Sequence, residues 1–216
     1  MNRLTLFILS FFFALLSISY AVFSVRTRST VLDCRAVEPR GNATGGNFYN
    51  FCVNQAQLIL FVNCYASGAR HAYISNGCSF DSGIVFLDCV SDRSLDTDEG
   101  HRRWAQAMLF DNHRVINPAS NTVLRRAIGL YNRGSWGTAH GWGVVHSVAW
   151  NCEVPANARI VVQQPPGAQN YAIGCFGEVT GEGPFQSPTG FIEGSNKPGL
   201  EPRSLYLAQL KQRIGK

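Results

Sequence analysis

Two histidines, His101 and His140, stand beside dense groupings of arginine and tryptophan in this 216-residue chain. His101 opens the run His101-Arg102-Arg103-Trp104, and His140 opens His140-Gly141-Trp142. Imidazole titrates near neutrality and serves as a general base. A guanidinium holds a carboxylate through paired hydrogen bonds, and an indole face stacks on an apolar surface. These residue types suit an acidic polysaccharide. With a uronate neutralised by Arg102 or Arg103, the neighbouring C–H becomes acidic enough for His101 or His140 to remove, which is lyase chemistry. Arg70, His71, Trp104, Arg133, Trp142 and Gln163 are the candidates for holding the substrate.

The carboxylates Asp96, Asp98 and Glu99 offer two further uses. They could supply the acid and base of a glycosidase, or ligands for a hard cation such as calcium, although no ligand-loop motif surrounds them. Plainer roles compete: acidic loops are mostly solvated, and a single histidine is as often a hydrogen-bonded structural residue as a catalyst. No Gly-x-Ser-x-Gly, metal-spaced Cys/His pair or phosphate loop occurs in the chain. The net charge of +5, with no run of like charges, excludes a nucleic-acid footprint.

Something must bring residues so far apart in sequence together, and a repeat is the candidate. Short apolar segments end in Asp33-Cys34, Asn63-Cys64, Asp88-Cys89, Asp111-Asn112, Tyr131-Asn132, Asn151-Cys152 and Gly174-Cys175. Spacings of about 20 to 30 residues, with one β-rich strand per unit, predict an all-β right-handed parallel β-helix over residues 22–180. Period-2 alternation puts Leu32, Val62, Leu87, Phe110, Leu130, Trp150 and Ile173 on the core face. The residue two positions later then forms a core column of Cys34, Cys64, Cys89, Asn112, Asn132, Cys152 and Cys175. In the same register His101, His140 and Gln163 fall about ten residues before successive strand ends, as neighbours on one strip. Residues 181–201, rich in Gly, Pro and Ser, read as a loop. Pro202 then opens a capping helix with Leu207, Leu210 and Ile214 on one face and Gly215 at its end.

Residues 1–21 have a charged start, an apolar middle and the small-residue ending Ser19-Tyr20-Ala21, the pattern of a secretory signal peptide. Secretion is the expectation, with an uncleaved signal-anchor as the alternative. Asn42-Ala43-Thr44 is then a glycosylation acceptor. Seven cysteines are an odd number, so at least one thiol is free or pairs outside the chain. The first coil follows the signal segment too closely for a cap helix, so a loop, a partner or a missing segment is expected over that end.

The stretches Arg70-His71-Ala72-Tyr73, Gly100-His101-Arg102-Arg103-Trp104, His140-Gly141-Trp142, Trp150-Asn151-Cys152 and Gln164-Pro165-Pro166-Gly167-Ala168 carry a resemblance. Over residues 33–216 the chain resembles secreted β-helix proteins of the pectin-lyase-like superfamily. It departs from them at Ala72, where that group has an acid after Arg-His, and in resembling only their C-terminal half. The resemblance implies a polysaccharide lyase, hydrolase or esterase, or a non-enzymatic relative. Two expectations follow: an enzyme acting on an extracellular polysaccharide, or a non-catalytic glycan-binding or structural protein.

Overall fold

The computed structural model describes residues 21–22, 27–44, 46–119 and 125–215. Residues 1–20 of the expected signal segment therefore lie outside the described residues. In chain order the strands are β1 (Ala21–Val22), β2 (Thr27–Leu32), β3 (Arg35–Val37), β4 (Tyr49–Val53), β5 (Gln57–Val62), β6 (Tyr65–Ser67), β7 (His71–Ser75), β8 (Ser82–Leu87), β9 (Val90–Asp92), β10 (Asp98–Gly100), β11 (Ala105–Asp111), β12 (Arg114–Ile116), β13 (Arg126–Leu130), β14 (Val144–Val145), β15 (Val148–Trp150), β16 (Arg159–Val162), β17 (Tyr171–Ile173), β18 (Glu178–Thr180) and β19 (Phe191–Glu193). They form three sheets, all parallel. One is ordered β1-β4-β7-β10-β13-β16-β18, one β2-β5-β8-β11-β15-β17-β19 with β14 beside β11, and one β3-β6-β9-β12. Each pass of the chain lays its strand beside that of the pass before. The expected all-β, parallel character is present, with one short helix near the C-terminus.

The core between the sheets is built from columns of equivalent residues. Val31, Phe61, Phe86, Phe110, Ala149 and Ala172 stand in register in the eight-stranded sheet. The rings of Phe61, Phe86 and Phe110 lie 5.1 Å apart in succession. Each fully buried phenylalanine contributes about 2–3 kcal/mol of hydrophobic stabilisation. Of the expected inward set, Phe110 and Leu130 face the core, but Leu32, Val62, Trp150 and Ile173 are one residue out: Leu32 is 57% exposed, whereas Val31 faces the core. The cause is backbone. Asp33, Asn63, Asp88, Asn112, Asn151 and Gly174 all have φ between 50° and 62°. A left-handed residue turns the strand end and breaks the alternation, so the second residue before it and the first after it both point inward. Asn, Asp and Gly tolerate that conformation best.

The column two positions past Leu32 is Cys34, Cys64, Cys89, His113, Cys152 and Cys175, not one that includes Asn112 and Asn132. Asn112 is itself the left-handed residue, and Asn132 follows β13 of the seven-stranded sheet, outside the eight-stranded one. All seven cysteines are free. Cys64, Cys89, Cys152 and Cys175 donate to strand carbonyls, for instance Cys152 Sγ to the Phe110 carbonyl at 3.3 Å. His113 replaces a thiol and donates from Nε2 to Asp98 Oδ2 at 2.8 Å, while Asp98 Oδ1 accepts from the amides of Ala72 and Tyr73. Both residues have no exposed surface.

Within residues 181–201, read as loop, β19 extends the eight-stranded sheet through Ala172↔Ile192. The C-terminal helix spans Leu205–Ile214, with Ser204 Oγ accepting from the Leu207 amide and Gly215 closing it in the left-handed region. Its start is tied to the side of the strand stack: Ser204 Oγ donates to Asp111 Oδ2 at 2.7 Å, and Arg203 pairs with Asp88 at 2.8 Å. The face expected to be apolar and inward is open, with Leu207 47% and Ile214 54% exposed. Asn42 is exposed, as its loop reading requires. No described helix is long and apolar enough to cross a membrane.

Candidate functional site

Strand β10 carries a carboxylate to each face of the seven-stranded sheet, because neighbouring side chains on a strand point opposite ways. Asp98 goes inward to His113. Glu99 goes outward, in register with Ile74 and Gly129. Gly129 is needed there: a Cβ would lie 2.1 Å from the Tyr131 ring. With that space open, the Tyr131 hydroxyl donates to Glu99 Oε2. Glu99 Oε1 receives His101 Nδ1 at 2.7 Å and the Arg133 guanidinium. Arg133 is also 2.9 Å from His101 Nδ1. With the proton on Nδ1, both nitrogens are donors aimed at the same carboxylate oxygen, and His101 Nε2 keeps its lone pair.

The cluster extends from this centre. His71 Nδ1 donates to the Thr97 carbonyl at 2.6 Å, which leaves Nε2 bare; it is buried without a hydrogen bond, 3.9 Å from Asp96 Oδ2. The rings of His71 and His101 are 4.8 Å apart, and those of His101 and His140 are 5.0 Å apart. The Tyr49 hydroxyl lies 3.5 Å from His101 Nε2 and 3.4 Å from Arg70. Asp96 pairs with Arg126 at 2.9 Å, and the Trp136 ring is covered by the guanidiniums of Arg126 and Arg133.

Burial sets the protonation states. It drives His71 well below its usual 6.5, with His101 and Arg70 adding to the effect against Asp96. His101 is lowered to about 4 by burial and by Arg70 and Arg102. His140 is lowered to about 4 by burial, His101 and the surrounding arginines. All three are neutral at pH 7. Burial pushes the Asp96 carboxyl up, but His71, Arg126 and the Thr97 amide and hydroxyl hold it at about 2. Burial raises the Tyr49 hydroxyl despite Arg70, so it stays protonated.

His71, Glu99 and His101 are the one group of described residues with donor atoms close enough for a metal ion. The Arg133 guanidinium lies against Glu99 and His101 and supplies the positive charge itself, so the group is not read as a metal site. The carboxylates singled out for calcium do not converge: Asp98 faces inward, Glu99 meets Arg133, and Asp96 meets Arg126.

Of the expected residues, His71, His101, His140, Arg70 and Arg133 come together. His101 and His140 touch, although not as equivalent positions. Glu99, Gly129 and Val161 are in register, so the counterparts of His101 are Tyr131 and Gln163. His140 reaches the cluster from the excursion between β13 and β14, which lengthens that pass and misleads a count back from Asn151. Gln163 is apart from the imidazoles and saturated, bonding the Asn132 amide and the carbonyls of Gly181 and Phe185. Arg102 bonds the Asn76 carbonyl, and Arg103 the carbonyls of Thr138 and Ala139. Trp104 is 39% exposed beside Trp142, whose carbonyl accepts from the Trp104 amide. Tyr49 and Tyr131 were missed; only the register of β4 with β7, pairing Tyr49 with His71, reveals the first. No protein-family model, curated protein or solved structure matches this chain.

Proposed function

We propose that this chain is a secreted, right-handed parallel β-helix of the pectin-lyase-like kind that cleaves an acidic extracellular polysaccharide by β-elimination. One observation carries the reading: Arg70, Arg102 and Arg103 have no carboxylate partner among the described residues, and they stand beside neutral histidines. Guanidiniums in that state suit a uronate carboxylate. His140 is the base. Its ring is the most exposed of the three imidazoles, whereas His101 is committed to Glu99. Hydrolysis is the weaker chemistry because it needs a carboxylic acid facing the glycosidic oxygen. Glu99 has both oxygens occupied and Asp96 is held ionised.

Glycan binding without catalysis is the second reading, favoured by how little of the site is open: His71, His101 and His140 are 0%, 4% and 7% exposed. The test incubates the secreted chain with a panel of polyuronates and neutral polysaccharides. Elimination produces unsaturated-product absorbance together with new reducing ends, and His140→Ala abolishes both. Reducing ends without absorbance would mean hydrolysis. Retention on polyuronate without cleavage would mean binding only, and no retention on any acidic glycan would refute the proposal.

A further inference from the structure

We propose that the cavity of about 200 Å³ between Gln163 and residues 181–187 is a binding subsite for a neutral sugar unit. The polymer bound is then a mixed one, in which neutral units accompany the uronates. That part of the inference rests on the acidic-polysaccharide reading, whereas the cavity itself uses none of the histidine cluster.

The cavity follows from how the chain closes after β16. Gln163 is 1% exposed and spends its carboxamide on backbone: Oε1 accepts from the Asn132 amide, and Nε2 donates to the carbonyls of Gly181 and Phe185, each at 3.0 Å. Thr189 bridges back to Gln163, so the ends of the loop meet. Two glycines allow that closure. A Cβ on Gly183 would lie 2.6 Å from Gln163 Nε2, and one on Gly181 would lie 2.2 Å from Thr189 Oγ1. The loop is therefore pinned at its carbonyls, and the space left has room for roughly six waters at ~30 Å³ each, about the bulk of one monosaccharide unit.

The lining selects the ligand. Glu182 and Gln186 are exposed at the mouth, with Ser187 beside them. Amide and hydroxyl groups both donate and accept, as the hydroxyls of a sugar do. Glu182 is the one charged residue of the lining. It meets Arg159 at 3.2 Å, an arginine already engaged by Glu178 at 3.1 Å. A uronate carboxylate would meet repulsion here, and a neutral polyol would not. Placement joins the cavity to the rest of the strip. Gln163 is the counterpart of His101 two passes on, about 10 Å along the stack at ~4.8 Å per pass. Trp136 touches both sides: its ring meets Phe185 at 5.5 Å and lies under Arg126 and Arg133. A short oligosaccharide spans that distance.

The experiment titrates the full chain by calorimetry with three probes: neutral oligosaccharides, a homopolyuronate, and a polysaccharide carrying both kinds of unit. Gln186→Ala and Glu182→Gln are compared with the unaltered chain. Both positions are exposed, so folding is preserved, and the thermal unfolding midpoint checks it. The mixed polymer should bind about 10-fold more tightly than the homopolyuronate, the worth of one or two hydrogen bonds. Gln186→Ala should weaken the mixed polymer and the neutral oligosaccharides roughly threefold to tenfold and leave the homopolyuronate unchanged. Glu182→Gln should strengthen homopolyuronate binding roughly twofold to fivefold. Equal affinity for the two polymers, or indifference of the mixed polymer to Gln186→Ala, overturns the subsite and leaves the acidic-polysaccharide reading standing. Binding of neutral oligosaccharides without either acidic polymer supports the cavity site and overturns that reading. Binding of none of the three overturns both.

Discussion

Acid should destabilise this protein through its buried imidazoles, and His101 allows the size of the effect to be worked out. The folded chain holds His101 neutral down to about pH 4, whereas an unfolded imidazole takes its proton near pH 6.5. Between those values the unfolded state binds more protons than the native one, so stability falls as the pH falls. At about 1.36 kcal/mol per unit, the contribution is roughly 3 kcal/mol, fully present above about pH 6.5 and lost by about pH 4. Glu99 alone would favour the imidazolium and reverse the sign, but Arg133 already neutralises it. His71 and His140 act in the same direction, so His101 must be isolated by difference. Urea unfolding from about pH 7 to about pH 4 should show a steep loss in the unaltered chain, and His101→Gln should flatten it by roughly 3 kcal/mol. An unchanged slope, or an imidazole titration for His101 above 6.5 by NMR, would refute the reasoning.

The buried charge balance gives a second prediction. Arg133→Met leaves the Glu99 carboxylate buried without its cation and should cost about 3–5 kcal/mol in urea unfolding. Adding Glu99→Gln to that variant should recover most of the loss. Equal destabilisation of the double variant would show that Arg133 acts by packing alone. The thiol column gives a third. A thiol reagent should modify at most Cys34 and Cys78 in the folded chain, since the other five are buried, and all seven after unfolding. Rapid labelling of Cys89 or Cys152 in the native protein would contradict the inward column.

The local pattern of residues established a good deal on its own. Short β-branched and aromatic segments ending in Asp-Cys or Asn-Cys are enough to announce repeated parallel strands, because the turn residue and the buried residue after it recur in each pass. The cysteines could be read as core rather than as a disulfide framework for the same reason. His71, His101, His140, Arg70 and Arg133 were recognisable as a chemical set from their types alone. Tertiary structure decided the rest. The inward face depended on a left-handed backbone at Asp33 and its equivalents, which alternation by itself does not contain. His113 entered the thiol column because its partner, Asp98, comes from a different sheet. Glu99 became the centre of the cluster only when parallel register set it beside Gly129 and brought Tyr131 and Arg133 onto its two oxygens. Tyr49 joined His101 across 52 residues of chain, a contact made by stacking of successive passes and by no local spacing.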